Sequence, residues 1–184
     1  MRLVTMVDQI NQLLSVLLLA STTALSLWLW SKGQVGVGAV AAAGAMALVL
    51  IADDAYFFMV AWETMALSSY FLVTSDHRHE EIRRAGYLYL LIAHIGALAI
   101  LLCFGVLQAN TGDYTFANMR AQELTPFWAS VAFLLAFFGF GAKAGIVPLH
   151  IWLPEAHPAA PSPVSALMSG VMLKTAIYGL LRIG

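Results

Sequence analysis

The chain has 184 residues, 61% of them hydrophobic and 10% charged, with a formal net charge of −1 and a mean hydropathy of +0.82. Soluble domains run near a quarter charged, and a soluble fold of this size has no means of hiding so much apolar surface, so the composition specifies an integral membrane protein. A near-neutral chain also excludes nucleic acid as a partner, and one cysteine, Cys103 in an apolar run, excludes an intramolecular disulfide framework and a cysteine-based metal site.

In chain order the hydropathy pattern predicts six spans, at 13–30, 35–52, 55–74, 86–108, 127–153 and 163–182. Each approaches the ~20 residues that an α-helix needs to cross the hydrocarbon core. No segment of ~10 residues shows the in–out alternation of a barrel strand. The expected fold is therefore all-α, one membrane domain over 1–184, with no linker or second composition class. The first span follows Asp8 and a polar stretch and ends on Trp28, Trp30, Ser31 and Lys32 with no small-x-small cleavage site. It reads as a retained helix with tryptophans at the interface.

Between the second and third spans stand Asp53 and Asp54, placed to cap the helix beginning at Ala55 or to attract cations at a channel mouth. The RHEEIRR connector at 78–84 gathers Arg78, Arg83 and Arg84 on the same side as Lys32. Arg2, Arg120 and Arg182 fall on the other. The positive-inside rule puts the connector in the cytoplasm and the N-terminus outside. The connector between the fourth and fifth spans is long, and its Asn110-Thr111-Gly112-Asp113 turn places it in water.

Three charged residues and a histidine stand inside the apolar runs: Glu63 in the third span, His94 in the fourth, Lys143 in the fifth and Lys174 in the sixth. A charge at membrane depth costs at least a few kcal/mol, so ionisable residues on separate helices are expected to face one another. Opposite charges ~7 Å apart attract by about 2 kcal/mol at an effective dielectric of ~20. Desolvation and that attraction oppose each other at a buried lysine, which makes its protonation sensitive to the Glu63–Lys143 distance. The expectation is a lysine that loads and releases a proton under the control of Glu63; a static ion pair that only fixes helix packing is the alternative. His94 either hydrogen-bonds a neighbouring helix or relays protons, since imidazole titrates near neutrality.

Beyond Lys143 the helix is expected to break. Pro148 removes a backbone donor and clashes with the preceding turn, and Gly145 adds freedom. Backbone groups freed at that depth need protein or water, and water beside a buried lysine suits proton transfer. His150 and His157 flank the LPEAHP turn, where they serve either as loop hydrogen-bonding groups or, with Pro148, in proton access and gating. Their spacing fits no common metal motif, and no phosphate loop or nucleophile elbow is present, so no cofactor or metal is expected in this chain.

Two blocks carry a resemblance. WETMALSSYFLV at 62–73 and GAKAGIVPLHIWLPEAHPAAPSPVSALMSGVMLKTAIYGLLR at 141–182 resemble the antiporter-like membrane subunits of respiratory complex I and of multisubunit Na+/H+ antiporters. The wording of the second block is most similar to the membrane subunits of formate hydrogenlyase and related membrane-bound [NiFe] hydrogenases. The resemblance implies that 35–182 form the first of two inverted five-helix repeats, with the fifth span broken. It implies that Glu63, Lys143 and Lys174 match the family's proton-translocating glutamate, lysine and connecting residue. It implies partners in other membrane subunits and a peripheral redox arm, protons or Na+ as the moved ion, and a place in the cell's inner membrane. The second inverted repeat is not within these 184 residues, so the resemblance assigns to them the first half of a path.

Overall fold

The structure, a computed structural model, describes residues 13, 36–109 and 112–183. The expected first span, with Arg2 and Lys32, lies outside the described residues apart from Leu13. Among the described residues the protein is helical with no strand; a single bridge pairs Asp54 with Thr115. Four stretches are long and apolar enough to cross a membrane, Ala55–Val73, Glu80–Gln108, Pro126–Ala159 and Ser162–Ile183. The all-α membrane class expected from the composition is the one observed.

Helix α1 (Val37–Ile51) and helix α2 (Ala55–Val73) form an antiparallel pair joined at Asp53-Asp54. Ala39, Ala42, Ala43 and Ala45 are buried, so α1 offers a small-residue face that lets α2 approach. At 15 residues α1 is about 22 Å long, shorter than the ~30 Å core. Asp54 caps α2 by accepting from the Phe57 N–H at 2.9 Å. Asp53 does not cap; its carboxylate lies 3.4 Å from Nη2 of Arg182 and its carbonyl accepts from the Phe116 N–H.

Helix α3 (Glu80–Gln108) starts earlier than its apolar run. Glu80 and Glu81 occupy the first turn, where the positive end of the helix dipole favours carboxylates. The charged connector therefore continues the helix. Arg83 secures this start by donating to the carbonyls of His77 and Arg78. The short helix α4 (Phe116–Arg120) follows in the long connector. That connector is not wholly in water: Phe116 and Met119 are buried, and Phe116 joins Phe58, Phe104 and Phe140 in an aromatic cluster under the end of the bundle.

Helix α5 (Pro126–Ala144) begins with proline at its first turn and stops at Gly145, which adopts a left-handed conformation at φ 72°. The N–H groups of Gly145 and Ile146 both return to the Gly141 carbonyl. Pro148 lies beyond the stop, ahead of a 3-10 turn at Leu149–Ile151 and helix α6 (Trp152–Ala159). The glycine, not the proline, ends the helix. The indole of Trp152 donates to the Ala142 carbonyl at 2.8 Å, satisfying a group that the break frees. The last span is helix α7 (Ser162–Leu167), a π-helical turn at Met168–Met172, and helix α8 (Leu173–Ile183).

The most extensive packing joins α3 to α5. It depends on two facing glycines: a Cβ on Gly139 would come within 2.6 Å of the Gly96 carbonyl, and one on Gly96 within 2.9 Å of the Gly139 carbonyl. Overpacking a tight contact costs about 1–3 kcal/mol, and here the obstacle is backbone. Gly139→Val is therefore expected to lower the melting temperature of the detergent-purified protein by several degrees, while Gly105→Ala, on an open face, leaves it unchanged.

Candidate functional site

Among the described residues three buried polar side chains mark the interior: Ser69 on α2, Lys143 on α5 and Thr175 on α8. Thr175 turns back to the Val171 carbonyl, an ordinary helical bond. Lys143 is different. It is 2% exposed, in the last turn before the break, and its Nζ donates to the Tyr89 hydroxyl at 2.6 Å. The same ammonium lies 4.5 Å from the centre of the Tyr89 ring.

Tyr89 is the residue that sequence reasoning missed. In YLYLLIAH an aromatic reads as core packing, and nothing in the pattern says that its hydroxyl finds a lysine. The ring is held edge-on by Trp152, 5.1 Å between centres. Its hydroxyl has Met172 Sδ of the π turn as a second partner at 3.6 Å. Ser69, whose hydroxyl is buried and unpaired, stands beside it without a well-formed hydrogen bond. Residues of five elements thus meet around one phenol and one ammonium.

The Glu63 carboxylate is not the contact partner of Lys143. It pairs with Nε2 of His94 at 3.4 Å, and its charge reaches Lys143 through space. Side-chain exposures of 32% for Glu63 and 48% for His94 put this pair on the outer face of the described helices. The reason is helical geometry. His94 follows Tyr89 by five residues, about 140° around α3, so an inward Tyr89 turns His94 outward. Nδ1 of His94 sits 2.9 Å from the Leu90 carbonyl, which directs Nε2 toward Glu63.

Lys174 does not join the other two. It is exposed, and its Nζ donates to the Ser169 carbonyl at 2.7 Å. The expectation that all three ionisable residues face one another is therefore corrected. Lys174 lies two residues beyond the inward Met172, the last residue of the π turn, and so falls on the opposite side of the last span. Its carbonyl partner stands in the π turn, where the altered hydrogen-bond pattern leaves room for a side-chain donor.

The residues around the break fall at one end of the bundle. Pro154, Glu155, Pro158 and Ala159 of α6 line a cleft with His79, Glu80, Glu81 and Arg84 at the start of α3. His157 Nδ1 is 2.7 Å from the Ser165 hydroxyl and ties α6 to α7. His150 Nδ1 is buried and has no hydrogen-bond partner. Pro148 precedes it, in the segment between Lys143 and this end. At the opposite end Arg182 donates to the Leu50 carbonyl and to Tyr178, closing α8 against α1.

Residues 52–184 match the family described as NADH:quinone oxidoreductase/Mrp antiporter, TM. Hydrogenase-4 component B of Escherichia coli (strain K12) is 52% identical over 135 residues, which cover 73% of this chain and 20% of that protein. Formate hydrogenlyase subunit 3 of the same strain is 34% identical over 136 residues, covering 73% of this chain and 21% of that protein. Among solved structures, a chain of the membrane-bound sulfane sulfur reductase, an archaeal respiratory membrane complex, shares the fold with a TM-score of 0.78 at 23% identity, over 91% of this chain and 36% of that one. The chain spans about a fifth of the length of these two curated relatives. With a match over most of its residues, the chain belongs to the NADH:quinone oxidoreductase/Mrp antiporter transmembrane family.

Proposed function

We propose that this chain carries part of a proton path in the bacterial inner membrane, as a membrane subunit, or a portion of one, of a redox-driven complex of the hydrogenase or NADH-quinone oxidoreductase type. One observation carries the reading: a wholly buried lysine whose contact partner is a neutral phenol and not a carboxylate. A lysine locked in a static ion pair has little reason to exchange its proton, whereas one held by a neutral hydroxyl is stable in either charge state.

In this reading Lys143 loads and releases the proton, and Glu63, paired with His94, sets the local field from the neighbouring face. Lys174 is the next station, and residues 35–182 act as one antiporter-like repeat. His150, with its unpaired Nδ1, and His157 lie with Pro148 on the access side. The part-exposed Glu63–His94 pair and the exposed Lys174 are polar groups at membrane depth, which favours cover by other membrane subunits of the same complex over contact with lipid. A peripheral redox arm would supply the driving reaction. The names of the hydrogenase and formate hydrogenlyase relatives support that partner class.

Reconstitution of the whole complex in proteoliposomes tests the reading. Electron donor is expected to drive acidification of the lumen that an uncoupler abolishes and that Na+ does not alter. The family description also names an Mrp antiporter, which keeps a secondary Na+/H+ exchanger as the second reading. Acidification that needs a Na+ gradient and no electron donor would select it. Lys174→Ala is expected to slow redox-driven acidification by about tenfold while the complex still assembles, because one station of a path is removed without leaving a buried charge.

A further inference from the structure

Tyr89 is buried, and its hydroxyl has two partners of unequal strength. Lys143 donates to it at 2.6 Å, a charge-assisted bond when the amine is protonated. The phenol proton must then point elsewhere, and the partner it has is Met172 Sδ at 3.6 Å, a weak acceptor. A neutral amine offers a lone pair in place of a third donor. The phenol proton then gains a better acceptor in Nζ itself and leaves the thioether.

We propose that Tyr89 is a positioning residue for Lys143: its hydroxyl reverses its hydrogen bond when Lys143 changes charge, and the reversal makes or releases the contact with Met172 in the π turn that precedes Lys174. The inference rests on the reading of Lys143 as a proton carrier. No covalent bond changes on Tyr89. It keeps its own proton throughout, and the proton that Lys143 gives up leaves along the transport path.

The geometry suits this role. Trp152 fixes the ring edge-on, so the hydroxyl rotates while the ring stays. The indole is itself tied to the Ala142 carbonyl beside Lys143, so ring and lysine share one support at the helix break. Met172 lies in the π turn, and a π turn is a place where a helix shifts register at low cost. Two residues further, Lys174 holds the Ser169 carbonyl of that same turn. The phenol is thus the contact through which the state of Lys143 reaches the segment bearing Lys174.

Other titratable groups near Lys143 have separate roles. From α2, Glu63 acts on it through space. His94 of α3 points to Glu63 and Lys174 points outward. Tyr178 of α8 serves the Leu50 carbonyl at the far end. Tyr89 alone, among the described residues, shares a hydrogen bond with Lys143.

Tyr89→Phe in the complete, reconstituted complex is the test, because it keeps the ring and removes only the hydroxyl. The variant is expected to assemble, yet to pump about tenfold more slowly, the worth of one hydrogen bond to a charged group. Loss of the acceptor disfavours the ammonium form, so the alkaline limb of its rate–pH profile is expected about one pH unit lower. An unchanged rate and profile would overturn the role of Tyr89. If the variant assembles poorly, infrared spectra of the unmodified complex with ring-labelled tyrosine supply a second reading. A phenol C–O band that moves across the alkaline limb, and stays still in Lys143→Met, supports the reversal; its absence overturns it. A Lys143→Met complex that pumps normally would remove the proposed function itself, whereas an inactive Lys143→Met beside a normal Tyr89→Phe would remove only this inference.

Discussion

Lys143→Met is expected to abolish proton transport without weakening the protein. Pumping by the reconstituted complex should fall by about 100-fold or more, the scale on which a positioned proton-transfer group acts. The melting temperature should stay level or rise. Holding an ammonium inside the bundle costs several kcal/mol of desolvation, and methionine fills a similar volume without that cost. The Tyr89 hydroxyl keeps Met172 Sδ as its acceptor when the lysine is gone. Opposite movement of stability and activity separates a functional charge from a structural one, because removing half of a structural ion pair lowers both. Thermal unfolding and fluorescence quenching on the same preparation give the comparison.

Glu63→Gln carries the second largest expected effect. Glutamine keeps the shape and can still reach His94, but it removes the charge that acts on Lys143. An attraction of about 2 kcal/mol, the scale of a through-space charge pair at an effective dielectric of ~20, corresponds to a loss of roughly 30-fold in transport rate. His94→Gln leaves the carboxylate in place and is expected to cost only a few-fold. The order Glu63 before His94 follows from which of them carries the field. Equal losses in the two variants, measured as initial rates of acidification, would show that the pair acts as one relay, with no separate electrostatic role for Glu63.

Much of the fold is legible because the apolar runs are long and their ends are punctuated. Asp54 ahead of Ala55 announces the start of α2, and its side chain makes the capping bond. The start of α3 is less legible. Charged residues from Glu80 to Arg84 look like a connector on a hydropathy scale, yet they are good helix formers and suit the helix's positive end. The break after Lys143 is expected from Gly145 and Pro148 together. The glycine makes it, since a left-handed residue stops a helix by itself.

At the site, Glu63, His94, Lys143 and Lys174 stand out as polar letters in apolar text. Their mutual arrangement does not, because periodicity gives the face of a helix only after one knows which face is inward. Tyr89 and His94 lie five residues apart on the same helix and point to different places. The inward position goes to the aromatic, whose large ring fills the space beside Trp152. Lys143 is therefore met by a phenol, and Glu63 by an imidazole on the outer face. Lys174 turns away because Met172 takes the inward side of the π turn. These choices are made by packing volume, which no spacing rule along the chain reports.

The central claim is that Lys143 works by changing its charge. Lys143→Arg tests it most directly, because guanidinium keeps the positive charge and the donors but does not give up its proton in a protein. The measurement is redox-driven acidification of proteoliposomes containing the assembled Lys143→Arg complex, with thermal unfolding as the check on its integrity. A folded complex that fails to pump, as Lys143→Met fails, is the predicted result. Pumping at the unmodified rate would mean that a fixed positive charge suffices at this position, and would contradict the account.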